Sequence, residues 1–166
     1  MIKVYVAASS KETARFTFVK GLLLGSRYLE LAYDWAAVIA DVQADGGPTD
    51  AELSREDARG YATKDLDMVD TARVFWLLTP ETRTAGAWFE AGYALAQIRA
   101  NRTAARGLGR LIVASGPVES SIFCALSDEE HATDLAAFES IQAWAERCEV
   151  AGGRKREEAQ AESSGQ

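Results

Sequence analysis

Hydrophobic and polar positions along the chain fall into two alternating rhythms. Residues 2 to 8, IKVYVAA, are β-branched and almost continuously apolar, as in a strand covered on both faces of a parallel sheet. From Lys11 to about Gly25 the period changes: Phe16, Val19, Leu22 and Leu23 recur at helical spacing before a terminating glycine. A short strand, YLELAY (28 to 33), follows, and Ala44 to Asp50, rich in turn formers, reads as an exposed loop. Ser54-Arg-Glu-Asp57 resembles a capping pattern and opens a second helix, with Tyr61, Met68, Val69 and Ala72 on one stripe.

The same alternation continues. RVFWLLT (73 to 79) predicts a third strand, Pro80 to Ala85 a loop, GAWFEAGYALAQIRA a third helix and RLIVAS (110 to 115) a fourth strand. SIFCAL, after Gly116-Pro117, is the candidate fifth strand, and Leu135 to Cys148 carries Leu135, Phe138, Ile141, Ala145 and Cys148 on one face of a closing helix. From Ala151 the chain is charged without apolar period and is expected to be disordered. Residues 1–150 thus form one domain and 151–166 a tail. Strands alternating with helices predict an α/β fold of about five mainly parallel strands, with helices on both faces and ligands bound beyond the carboxyl ends of the strands.

Composition narrows the partners. With 166 residues, 48% hydrophobic and 26% charged, the chain can bury a core without disulfides or metals. No apolar run reaches the length of a membrane span and the start does not read as a secretory signal, so no membrane partner and a cytoplasmic address are expected. A net charge of -7 opposes binding to a nucleic acid polymer and favours a small-molecule partner. Cys124, Cys148 and the single His131 share no metal-site spacing; the cysteines read as small buried hydrophobes and His131 as structural. No cofactor or metal is expected.

Two carboxylates break the pattern. Glu90 lies near the beginning of a helix with Gly86, Tyr93 and Ala94 as helical neighbours; the small Gly86 and Ala94 leave room for a ligand, and a helix N-terminus favours its anion as a nucleophile. A solvent-facing acid in a first turn explains Glu90 equally well. Asp65 falls on the apolar stripe of its helix, whereas Asp67 and Asp70 share the polar side with Lys64. A core-facing carboxylate is costly unless it is hydrogen-bonded or faces a cavity, though a backbone amide at the stripe's edge would also satisfy it.

Ser9, Ser10 and Lys11 follow the first strand where a phosphate can bind, with Arg15 one turn on; an ordinary N-cap is the alternative. Asp34 and Trp35 could contact a heterocycle and its hydroxyls, or be a capping acid and a core aromatic. Arg83 and Thr84 lie in the loop before the Glu90 helix, where a surface position explains them as well as a ligand does.

Together these segments resemble the nucleoside 2-deoxyribosyltransferase family and its relatives, the 2'-deoxynucleoside 5'-monophosphate N-glycosidases. The resemblance rests on Tyr5-Val-Ala-Ala-Ser9-Ser, on Asp65-Leu-Asp-Met-Val, on Thr84-Ala-Gly86-Ala-Trp-Phe-Glu90-Ala-Gly92-Tyr-Ala-Leu-Ala, and on Pro117 to Leu126 as a last strand region. It implies a flavodoxin-like doubly wound sheet and an enzyme in which Glu90 attacks the anomeric carbon and Tyr5 orients Glu90. It further implies that Asp65 assists the departing base, that Ser9 contacts the 5' end of the sugar or its phosphate, and that the chain forms a homodimer or larger homo-oligomer. In the family, transferases carry an aspartate at the position of Thr84 and monophosphate hydrolases a serine; a hydroxyl does not repel phosphate. Thr84 therefore directs the expectation to an N-glycosidase acting on a (2'-deoxy)nucleoside 5'-monophosphate. Alanine after Glu90 departs from the family's ELG, and bulky Trp88 and Phe89 are expected to shape which base fits. The alternatives are base exchange by a nucleoside 2-deoxyribosyltransferase, a non-catalytic nucleotide-binding sensor of the same fold, and a TIR-like NAD glycohydrolase, which the Tyr5, Asp65 and Glu90 series favours less.

Overall fold

The computed structural model describes residues 1–48, 52–80, 84–102, 110–117 and 122–164. Its elements in chain order are β1 (Ile2–Ala7), α1 (Thr13–Leu24), β2 (Leu29–Leu31), α2 (Trp35–Ala44), α3 (Arg55–Thr71), β3 (Val74–Leu78), α4 (Gly86–Arg102), β4 (Leu111–Ser115), β5 (Glu129–His131) and α5 (Asp134–Ser164), with a 3₁₀ turn at Ile122–Leu126 before β5. The strands form one sheet in the order β2-β1-β3-β4-β5, every neighbouring pair parallel. This is the flavodoxin-like doubly wound order, which reverses direction at β1 and β3.

The two-residue period of the strands sorts the core into two layers. Val4, Val6, Val74, Trp76, Leu78 and Val113 pack with Phe16, Val19 and Leu23 of α1 and with Ala137, Ile141 and Ala145 of α5. The alternate residues Tyr5, Ala7, Phe75, Leu77 and Ile112 meet Val69 of α3 and Ala87, Ala91, Ala94 and Ile98 of α4. Burying each of the larger side chains contributes about 1.5–3 kcal/mol, so central strands that are almost wholly apolar, with Lys3 and Ser115 at the ends of β1 and β4, are the expected result of helices on both faces. Both cysteines are buried. Among the described residues no helix is long and apolar enough to cross a membrane.

One polar network crosses the first layer. Arg15 of α1 donates from Nε and Nη2 to the two carboxylate oxygens of Asp134, at 2.8 and 2.6 Å, and from Nη1 and Nη2 to the carbonyls of Thr79 and Ser115, at 2.8 and 2.9 Å. Ser115 Oγ donates to Asp134 and accepts from Trp76 Nε1. Gly116 makes room for it: at φ +95, a Cβ there would lie 2.5 Å from Arg15 Nη2.

Three expectations change. Residues 35–44 form a helix that the loop-and-strand reading of that region passed over, because WAAVIADVQA buries none of its residues fully and its stripe is too short to stand out. The fifth strand is not SIFCAL, whose residues 122–126 form the 3₁₀ turn; it is Glu-Glu-His, a polar edge strand held to β4 by its backbone and invisible to a search for apolar periodicity. The helical backbone of α5 continues through Ser164, where a disordered tail was expected from Ala151; the segment is rich in Ala, Glu, Lys, Arg and Gln, which propagate a helix already nucleated upstream.

Candidate functional site

A cavity of about 290 Å³ opens beyond the carboxyl ends of the strands, where the sheet order reverses. Its size lies near the lower end of the range for small-molecule sites. Tyr5, Ala8 and Ser10 line it from β1 and the turn that follows, Tyr33 from the end of β2, Asp65 and Tyr61 from α3, and Thr84, Gly86, Ala87 and Glu90 from the start of α4.

Local sequence explains how the acidic groups arrive there. The buried stripe of α4, Ala87, Ala91, Ala94 and Ile98, faces the sheet, so Glu90 comes to the flank of that stripe within the first turns. A Cβ at Gly86 would meet no atom within 4 Å, so this glycine leaves open space rather than serving a tight contact. In α3, Ser54 caps the helix by accepting from Asp57 N at 3.1 Å, and Val69 and Ala72 pin its far end to the core. That placement turns Asp65 into the cavity, whereas Asp67 and Asp70 are exposed. Tyr5 is 1% exposed; its ring stacks on Phe75 with centroids 5.8 Å apart, and its hydroxyl donates a hydrogen bond to Glu90.

The electrostatics of the three groups are coupled. Burial pushes the Glu90 carboxyl up to about 8; the Asp65 charge adds to the rise and the Tyr5 hydrogen bond opposes it. Burial pushes Asp65 up to about 6, against the lowering effect of Lys64. Tyr5 is raised well above its ordinary value by burial and by the charges of Glu90 and Asp65. The helix N-terminus was expected to keep Glu90 ionised. Loss of water outweighs it, because the helix dipole contributes at most about 2 kcal/mol, whereas desolvation can move a carboxyl by several pKa units.

The other candidates divide. Ser10, Trp35, Thr84 and Gly86 line the cavity with Tyr5, Asp65 and Glu90. Ser9 does not; it is buried, its Oγ accepts from Lys11 N at 3.3 Å and its carbonyl from Glu12 N, so it shapes the turn before α1. Asp34 lies off the lining as well: it caps α2 by accepting from Ala37 N at 3.1 Å and pairs with Lys20. Trp35 serves both readings, for it donates from Nε1 to the Val6 carbonyl at 3.0 Å, packs on Phe16 and lines the cavity. Arg15 is engaged in the Asp134 network, not at the cavity. Arg83 and residues 118–121 of the last family-like segment lie outside the described residues.

Trp88 and Phe89 were expected beside the base, but neither lines the cavity; Trp88 packs into the core layer of α4 and Phe89 is exposed. The wall missed from sequence is α2, with Val38, Ile39, Val42 and Gln43, continued by Pro48 and Leu53. Its signal was the apolar spacing 35, 38, 39, 42, legible only once the segment is read as a helix. Among the described residues no group of three or more His, Cys, Asp or Glu is arranged to hold a metal ion. No protein-family model matches this sequence, and no curated protein matches it significantly.

Proposed function

We propose that this chain is an N-glycosidase that cleaves the base–sugar bond of a (2'-deoxy)nucleoside 5'-monophosphate through Glu90. The observation that carries the reading is the convergence of Glu90, Asp65 and the hydrogen-bonded Tyr5 on one cavity at the reversal point of the sheet. Two carboxyls and a positioning hydroxyl are what an oxocarbenium-like displacement requires. A Glu90 oxygen bonds to the anomeric carbon as the C–N bond breaks, the bonding pair leaves with the base, and the base takes a proton from Asp65. Water then attacks the same carbon, gives its proton to Asp65 and releases Glu90 as carboxylate.

The pair of acids supplies one proton and one negative charge. Taken singly, the values of about 8 and about 6 put the proton of the empty site on Glu90. The two groups interact and titrate as a pair, so positive charge developing on the sugar beside Glu90 favours its anion and leaves the proton to Asp65. The pair is doubly protonated well below pH 6 and doubly ionised well above pH 8. The expected kcat/KM profile is therefore a bell with limbs near 6 and 8. A profile flat from about pH 5 to 9 would exclude this pair as the acid and nucleophile.

Support for the 5'-phosphate comes from the hydroxyls of Ser10 and Thr84 on the lining, with Lys11 adjacent to Ser10; Arg15 no longer contributes. The same proposal includes a cytoplasmic address and, from the family resemblance, a homodimer or larger homo-oligomer. Its direct test is a panel of nucleosides and nucleoside 5'-monophosphates assayed for free base and sugar phosphate, with and without an added second base. Hydrolysis of monophosphates without need of an acceptor is the expected result. Exchange with negligible hydrolysis would replace the hydrolase by a deoxyribosyltransferase, and release from nucleosides alone would remove the phosphate from the proposal.

A further inference from the structure

Trp35, Val38, Ile39, Val42 and Gln43 of α2 all line the cavity and recur at the spacing of a single helical face. That face is apolar up to Gln43, yet no residue of α2 is fully buried. Apolar helix faces in a layered fold ordinarily close on the sheet, as those of α1, α3, α4 and α5 do. α2 is capped by Asp34 and anchored to the core at its start through the Trp35 contacts with Val6 and Phe16. Beyond that turn its half-buried stripe is turned to the same cavity as Glu90 and Asp65, and Leu53 and Pro48 add further apolar surface. Gln43 is the one polar side chain that α2 itself contributes to the lining.

We infer that the α2 stripe is a specificity wall, selecting substrates whose leaving base carries an apolar substituent, alkyl or aryl, over those with an unsubstituted base. The inference rests on the glycosidase reading for the identity of the leaving group. A polar base edge against Val38, Ile39 and Val42 would lose water and gain no hydrogen bond, whereas a hydrocarbon substituent covers the stripe at a gain of about fourfold per buried methylene. A four-carbon substituent that covers part of the wall is therefore expected to be preferred by about tenfold to a hundredfold.

The test compares deoxycytidine 5'-monophosphate with its exocyclic N-butyl derivative, in the wild-type protein and in Ile39→Gln and Val42→Gln. These positions are half-buried on a peripheral helix, and an unchanged melting temperature would verify that each variant folds. The expected result is a kcat/KM ratio favouring the butyl compound by at least about tenfold in the wild type, and reduced severalfold or more in each variant. Equal cleavage of the two compounds, or a preference untouched by both variants, overturns the α2 inference and leaves the glycosidase reading standing. If neither compound releases base, the glycosidase reading fails for these substrates and calorimetric binding of the two nucleotides decides the wall. Tighter binding of the butyl compound that Ile39→Gln removes upholds the wall, and equal binding or no binding overturns it.

Discussion

Replacing Glu90 with glutamine is expected to lower base release by about 10³-fold or more while raising thermal stability at alkaline pH. The first effect follows from the proposed chemistry, since an amide oxygen cannot displace the base and form the covalent intermediate. The second does not depend on that chemistry. The folded protein holds the Glu90 proton up to about 8, against an ordinary value of 4.5. Between those two values the folded state binds a proton that the unfolded chain has lost, so the Glu90 contribution to stability declines as pH rises through that window. The penalty is absent below about 4.5 and complete above about 8. Allowing for the partial exposure of Glu90, it amounts to about 2–4 kcal/mol, or roughly 5 °C or more in Tm for a chain of this size.

Melting curves of the two proteins at about pH 5 and pH 9 measure the difference. Near-coincidence at the acidic pH and a higher Tm for Glu90→Gln at the alkaline pH are expected. A variant no more stable at pH 9 would mean that the Glu90 carboxylate is well solvated. Gain of stability together with loss of turnover is what a desolvated charge kept for function produces.

The second large effect concerns the scaffold. Arg15→Ala is expected to destabilise the fold by about 2–4 kcal/mol, somewhat less than removing one partner of a fully buried ion pair, because both side chains keep some exposure. The loss leaves the Asp134 carboxylate and the carbonyls of Thr79 and Ser115 without the donors that reach them from α1. Burial pushes Asp134 upward, but the hydrogen bonds from Arg15 and Ser115 and the Arg15 charge outweigh it and hold the carboxyl below its usual value. Arg15→Lys is expected to recover only part of the loss, because an ammonium cannot reproduce the two-point contact with a carboxylate while also reaching two carbonyls. Urea denaturation gives both values. A loss below about 1 kcal/mol for Arg15→Ala would show that the network is solvated and contributes no more than a surface pair.

The legibility of the fold followed the burial of each element. β1, β3 and β4 lie inside the sheet with helices on both sides, so their apolar runs stand out in one dimension. β5 is an edge strand of two glutamates and a histidine; Glu129 and His131 are linked to each other and Ser140 donates to Glu129, so its side chains answer to solvent and α5. α2 was hidden for the opposite reason, since its short stripe faces a cavity and none of its residues is fully buried, although Asp34 caps its start. The same limit applied to single residues. Asp65 was legible because a carboxylate on an apolar stripe is an anomaly that the helical period alone exposes. Arg15 was assigned to a phosphate because its partner Asp134 lies across the fold on another helix.

What the sequence by itself determined is the order and type of the buried elements, the doubly wound class, and the candidacy of Tyr5, Asp65, Glu90, Ser10, Trp35, Thr84 and Gly86. The elements, Asp65 and Glu90 depend on local periodicity or on a residue out of place within it, Ser10 and Trp35 on their place after a strand, and Tyr5, Thr84 and Gly86 on the family resemblance. Only the tertiary structure decided which candidates share a cavity, that Ser9, Asp34 and Arg15 serve the scaffold instead, and that α2 forms the apolar wall. It also decided how deeply Glu90 is buried and which charges it meets. Desolvation and charge coupling depend on what surrounds a group in three dimensions, and the neighbours that set Glu90, Asp65 raising it and Tyr5 opposing, come from α3 and β1, segments far from it along the chain.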